Sequence, residues 1–267
     1  AFDGGLSNIS FAPVFGTVPT EEDGRQVVFG PQAVGQLELV RKVFVPDDEN
    51  FARFLEVYTN TGTVPVTQTV SMFTNLGSDG STVVVQTSSG DQTVAIDDQW
   101  VVTESSNVGA VNPAVGHVIG DGGGLLPTTF TAPTGIVSYS FDLTIDPGET
   151  QILMSYGIQN FDPATAVTQA QSLQSPSGAA LRGLTPAEMQ QVVNFDLPVI
   201  TPVIFNNPPA FASATAFIGV TPQNDFPVAG DDTITSTDAT WEQFSSADPT
   251  EDEELIIPAA FLLRNDV

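Results

Sequence analysis

Nine consecutive residues, VSYSFDLTI at 137 to 145, alternate without a break between apolar and polar side chains. Successive side chains of a strand point to opposite faces. Val137, Tyr139, Phe141, Leu143 and Ile145 therefore share one side, and Ser138, Ser140, Asp142 and Thr144 the other. This is the pattern of a strand with one buried and one wet face. The turn residues DPGE at 146 to 149 then lead into TQILMSYGI, and the two runs read as a hairpin.

The same grammar recurs. LELVRKVFV (37 to 45), the turn PDDEN, FARFLEVYTN (51 to 60), GTVPVTQTVSMFTN (62 to 75) and GSTVVVQTSSG (80 to 90) are strand-like runs separated by turn residues. Strands at this spacing predict a mainly β chain, an antiparallel β-sandwich over residues 1 to 195, with a large antiparallel sheet as the alternative. Helical signals are confined to two places, about 162 to 174 and 185 to 194. Asp162 is a candidate N-cap with Pro163 after it, and Thr185 with Pro186 repeats the arrangement. These short helices are expected to cap an open edge or end of the sandwich. Residues 196 to 224 carry prolines every few positions and read as an extended linker. Residues 225 to 267 hold eleven acids against Arg264 alone, and read as an incomplete cadherin-like or immunoglobulin-like β segment ending in a strand.

Charge narrows the partners. Six Lys and Arg stand against 32 Asp and Glu, for a net charge of −26 over 267 residues. That field repels phosphate backbones and anionic lipid, so nucleic acid is disfavoured. Hard cations such as Ca²⁺ suit it better. With 41% hydrophobic and 14% charged residues, this is not the composition of a disordered acidic chain. No apolar run reaches the roughly 18 residues needed to cross a membrane, so no membrane insertion is expected. The chain begins at Ala1 without Met, which reads as a processed, secreted product.

Few residues invite catalytic assignment. His117 is the sole histidine, beside Val118 and Ile119, and no nucleophile elbow accompanies it; a structural role is expected. DGGG at 121 to 124 fits neither common phosphate-binding glycine pattern and reads as a turn. Acids in turns are favoured for their own backbone hydrogen bonds, so the expectation is a non-enzymatic protein without a catalytic residue. Candidate Ca²⁺ ligands are Asp47, Asp48 and Glu49 in PDDEN, and Asp231 with Asp232 in AGDD. Neither group matches an EF-hand loop. Arg41, Lys42 and Arg53 fall in one predicted hairpin, either pairing locally with Glu38, Glu56 and the turn acids or forming a patch that receives acidic segments.

FPVAGDDTITST (226 to 237) and EDEELIIPAAFLLRND (251 to 266) resemble the opening of a bacterial cadherin-like tandem repeat, with an insertion, DATWEQFSSADP, between them. The resemblance covers about 43 residues. It implies a domain cut short and acids of the kind associated with Ca²⁺ at repeat junctions. More loosely, the runs from 37 to 91 and from 147 onward resemble a β-rich region found ahead of such repeats in large secreted bacterial surface proteins. That resemblance implies a cell-surface setting and brings no catalytic residues with it.

Leu255, Ile256, Ile257, Phe261, Leu262 and Leu263 would each forgo about 1.5 to 3 kcal/mol if left in water. They are therefore expected to mediate self-association, adding as a strand to another copy head to tail and building a fibre or layer. A structural or adhesive surface protein is the first reading, with surface glycans or other surface proteins as further partners. The alternative is a carbohydrate-binding or glycoside-cleaving sandwich, which would show a groove with exposed aromatics near Trp100 or Trp241 and paired carboxylates. Trp100, at a strand start, is expected to be core.

Overall fold

The computed structural model describes residues 2 to 12, 17 to 107, 113 to 132 and 134 to 198. In chain order its strands are β1 (Phe2–Asn8), β2 (Thr20–Glu21), β3 (Gln26–Val34), β4 (Leu37–Phe44), β5 (Phe51–Asn60), β6 (Val66–Leu76), β7 (Thr82–Thr87), β8 (Trp100–Ser105), β9 (Ala114–Val118), β10 (Thr129–Thr131), β11 (Ile136–Ile145) and β12 (Thr150–Asn160). Helices α1 (Pro163–Gln174) and α2 (Pro186–Gln191) follow. Among the described residues the strands form two antiparallel sheets, a small one ordered β1-β6-β11-β10 and a large one ordered β2-β3-β4-β5-β12-β9-β8-β7. The fold is the expected β-sandwich with two short helices.

β11 behaves as its alternation demands. Val137, Tyr139, Phe141, Leu143 and Ile145 are buried between the sheets. The outer face pairs hydroxyls across strands, with Ser71 to Ser140 at 2.9 Å and Thr69 donating to Asp142 at 2.6 Å.

The expected hairpin at DPGE is an arch instead. The turn forms, with Glu149 N–H donating to Asp146 O at 2.9 Å and Gly148 at φ +77°. However, β11 pairs with β6 and β10 in the small sheet, whereas β12 pairs with β5 and β9 in the large one. Burial is the physical reason. Ile152, Met154, Tyr156 and Ile158 on one face and Leu153 on the other are all buried, so β12 needs cover on both sides and cannot extend a sheet with a wet face. Asn60, fully buried, clamps the crossing by donating to Ile145 O at 2.9 Å and Val64 O at 2.8 Å.

Two apolar layers result. Between the sheets lie Leu39, Val70, Met72, Phe141, Val115 and Leu153 with their neighbours. On the far side of the large sheet, Trp100, Val118, Met154 and Tyr156 pack under Ala166, Ala170 and Leu173 of α1. The helices thus cover the outer face of the large sheet rather than an edge or end of the sandwich. The reason is again β12, whose second apolar face must be shielded.

α1 is capped by Asp162, which accepts from Thr165 N–H at 3.0 Å with Pro163 at the first helical position. α2 has the reciprocal capping box of Thr185 and Glu188. It ends at Gln191, shorter than the expected 185 to 194, because the next residues join the sheet. β9 covers β12 only from Tyr156 to Asn160. Val192 bridges Ile152, and Asn194 accepts from Met154 N–H at 2.9 Å and donates to Met154 O and Ile119 O, each at 2.7 Å. Those groups of β12 would otherwise be buried without partners.

Candidate functional site

β1 lies at one edge of the small sheet and faces β3, β4 and β5 of the large one across an open groove of about 340 Å³. Register builds its floor. Phe29 sits opposite Arg41, and Arg41 opposite Glu56, in one row across β3, β4 and β5; Val43 opposite Phe54 forms the next. Residues 7 to 12 supply the wall. Gln32 holds that wall by accepting from Ala12 N–H and donating to Ala12 O, both at 3.0 Å. Phe29 ends the regular part of β3, where the register shifts before Gln32. Gly30 there has φ +104°, and a Cβ would stand 2.7 Å from Leu39 O, so only glycine allows the bulge that sets Phe29 at the groove.

The lining is aromatic around a small polar group. Phe11 and Phe29 meet edge to face at 6.4 Å, and the Arg41 guanidinium lies over Phe54 at 5.1 Å. Arg41 Nε stands 3.2 Å from Glu56 Oε1, and its Nη2 donates to Leu6 O. Asn8, almost fully buried, donates to Glu56 Oε2 at 2.8 Å and Tyr58 Oη at 2.9 Å, and accepts from Ser10 N–H at 2.9 Å. These contacts join β1 to the large sheet. Burial pushes the Glu56 carboxyl above its ordinary range, with the Arg41 charge and the Asn8 hydrogen bond opposing it. Burial likewise raises Tyr58 and Tyr139.

The three hairpin cations form no common patch. Arg41 points between the sheets and pairs with Glu56, as local pairing anticipates; no pairing with Glu38 is seen. On the opposite face Lys42 bridges Glu21 at 2.9 Å and Glu188 at 3.0 Å, tying β2 and α2 to β4. Arg53 is fully buried under Phe44, 4.8 Å from its ring, and donates to Ala180 O at 2.9 Å and Gln26 Oε1 at 3.0 Å. Its role is to hold the 178 to 181 turn onto the sheet.

Asp47 and Asp48 both engage Arg182, at 3.2 and 3.7 Å, and Glu49 accepts a long contact from Gln169 at 3.5 Å. Among the described residues no three His, Cys, Asp or Glu gather as a metal-holding group. Asp231, Asp232, Trp241 and the self-association residues Leu255, Ile256, Ile257, Phe261, Leu262 and Leu263 lie outside the described residues.

His117 is fully buried between the sheets with Nε2 3.0 Å from Thr74 Oγ1, and Trp100 is buried with its Nε1 donating to Gln174 Oε1 at 3.0 Å. Both are core, as expected. The groove residues Asn8, Phe11, Phe29 and Phe54 were not singled out from the sequence. Two signals point to them: the glycine and proline that interrupt the 26 to 34 strand after Phe29, and Glu56, a charge where the strand's neighbours are apolar.

No protein-family model matches the chain, and comparison with curated proteins gives no match either. Solved structures with a similar arrangement include a polysaccharide lyase, at 16% identity and TM-score 0.38 over 57% of this chain and 24% of that one. A galactose mutarotase-like protein from Lactobacillus casei has 10% identity and TM-score 0.37, over 54% of this chain and 72% of its own. An α-galactosidase from Geobacillus stearothermophilus, solved with stachyose, has 11% identity and TM-score 0.38, over 67% and 31% respectively. The chain spans about a quarter of the lyase's length.

Proposed function

We propose that this chain is a carbohydrate-binding β-sandwich whose site is the groove between β1 and the β3-β4-β5 face. The observation that carries the reading is the grouping of Phe11, Phe29 and Phe54 around Arg41, Ser7 and Asn8 in one open groove. Sugars present C–H faces that stack on aromatic rings and hydroxyls that need a few fixed polar partners. The groove combines both. Its carboxylate, Glu56, sits behind Arg41 and is already paired, whereas glycoside hydrolysis uses two carboxylates flanking the bond, so the reading is of binding. The secreted, surface setting implied by the sequence resemblance suits such a module.

Titration calorimetry against a panel of oligosaccharides tests it. Binding is expected, with Phe29→Ala and Phe54→Ala each weakening it about ten-fold or more while circular dichroism stays unchanged. Failure to bind any oligosaccharide, or binding indifferent to both substitutions, defeats the reading.

Self-association through residues 251 to 267 is a second reading, and one observation favours it. The large sheet ends in β7, TVVVQT, an edge without a charged residue on which Val83 is 40% exposed. Natural edges are usually blunted by charge or cover; among the described residues β7 carries no charge, and Gln92 donates to its Val85 O at 3.3 Å.

A further inference from the structure

Arg41 is the charged residue of the groove lining, and a guanidinium is normally a receptor for carboxylate or sulfate. Here one of its two bidentate edges faces the protein itself. The Nε hydrogen and one Nη2 hydrogen lie on one side of the guanidinium, a side that a carboxylate can engage with two parallel hydrogen bonds. Glu56 Oε1 stands at Nε and Leu6 O accepts from Nη2. The guanidinium lies over the Phe54 ring, which favours this orientation. Glu56 is itself fixed by Asn8 and buried to 1% exposure. What remains of Arg41 for a ligand is its outer edge, Nη1 and the second Nη2 hydrogen, with its charge set against Glu56.

We infer that Glu56 is the residue that sets the charge class of the ligand: seated against one edge of Arg41, it offsets the guanidinium's charge and makes the groove prefer neutral saccharides to acidic ones. This rests on the reading of the groove as a carbohydrate site. The net charge of −26 works in the same direction at low salt, since it opposes the approach of a polyuronate. The carboxylate of a uronate would meet a guanidinium whose charge Glu56 already offsets from behind.

The full chain is titrated at pH 7 with neutral probes, cellohexaose, xylohexaose and mannohexaose, and with acidic ones, hexagalacturonate and hexamannuronate. The wild type is expected to bind at least one neutral hexasaccharide about ten-fold or more tightly than either uronate, with the neutral affinity unchanged between 0.05 and 0.5 M NaCl. Glu56→Gln frees the charge of Arg41 and is expected to raise uronate affinity about ten-fold. Should that buried substitution unfold the chain, the wild-type contrast between neutral and acidic hexasaccharides decides alone, because Arg41→Gln would strand Glu56 in the same way. Uronates bound as tightly as the neutral sugars by the wild type, with Phe29→Ala abolishing both, would overturn this inference and leave the groove standing. Absence of binding to every probe would overturn the groove and the inference together.

Discussion

His117 makes the stability of the sandwich depend on pH in a way that can be isolated. The imidazole lies between the sheets on β9, and its Nε2 faces a Thr74 hydroxyl that also accepts from Leu6 N–H at 2.9 Å. Burial disfavours the charged ring and lowers its pKa from 6.5 to about 3. In the unfolded chain the ring titrates near 6.5. Between those values the unfolded state binds the proton and the folded state does not, so stability falls as pH falls. The slope is about 1.36 kcal/mol per pH unit. At pH 5, some 1.5 units below 6.5, the loss is about 2 kcal/mol, a sizeable part of the 5 to 15 kcal/mol typical of a domain. Glu56 acts with the opposite sign: its raised carboxyl costs stability as pH rises and restores it as pH falls. Glu188 and Asp98, both lowered, lose their contribution only below the ordinary carboxylate range. All three are shared by wild type and His117→Gln, so a double difference removes them. Urea unfolding of both proteins at pH 7 and pH 5 is expected to show the wild type losing about 2 kcal/mol more than the variant. An equal loss in both, within about 0.5 kcal/mol, would refute the argument.

Four further outcomes follow from the same contacts. Asn194→Ala strands the N–H and C=O of Met154 and the C=O of Ile119, and is expected to cost about 2 to 3 kcal/mol by urea unfolding. Phe141→Ala removes a fully buried ring between the sheets and should cost about 3 to 5 kcal/mol, whereas Ser138→Ala on the outer face of the same strand should stay within about 0.5 kcal/mol. Thr185→Ala breaks the capping box of α2 and is expected to cost about 1 kcal/mol. Sedimentation of the chain with and without residues 251 to 267 reports on the second functional reading: loss of an oligomer on deletion supports strand addition, and an unchanged monomer defeats it.

Local structure was legible wherever the signal was local. The residues of β4 and β5 were marked by apolar patterning on either side of PDDEN, and the pairing of Arg41 with Glu56 followed from that hairpin. Asp162 and Thr185 announced the helix starts by their type and the prolines after them. The sheet to which a strand belongs was harder to read. DPGE fixes a turn but not whether the chain returns beside β11 or crosses to the other layer. The deciding feature was present in the residues: VSYSFDLTI alternates, whereas ILMSYGI does not, so one strand needs a single cover and the other two. The groove was least legible. Asn8, Phe29, Arg41 and Phe54 come from four strands, and only the register across β3, β4 and β5 places them together.

That register also explains why a buried ion pair stands where aliphatic side chains would fit. A buried pair offsets most of its Coulomb attraction by desolvation, and a well-packed apolar substitute is often as stable or more so. Folding alone therefore does not call for Arg41 and Glu56 at these positions. Removing only one of the two leaves the other buried and alone, so the pair is held together by the cost of breaking it rather than by a net gain. On the proposed reading, the pair and the Phe54 ring set the guanidinium in place at the aromatic groove before any ligand arrives. Ordering that side chain beforehand spares the entropy that an exposed, mobile arginine would lose on binding. The stability forgone in the core and the preorganisation of the groove are thus two consequences of the same two residues.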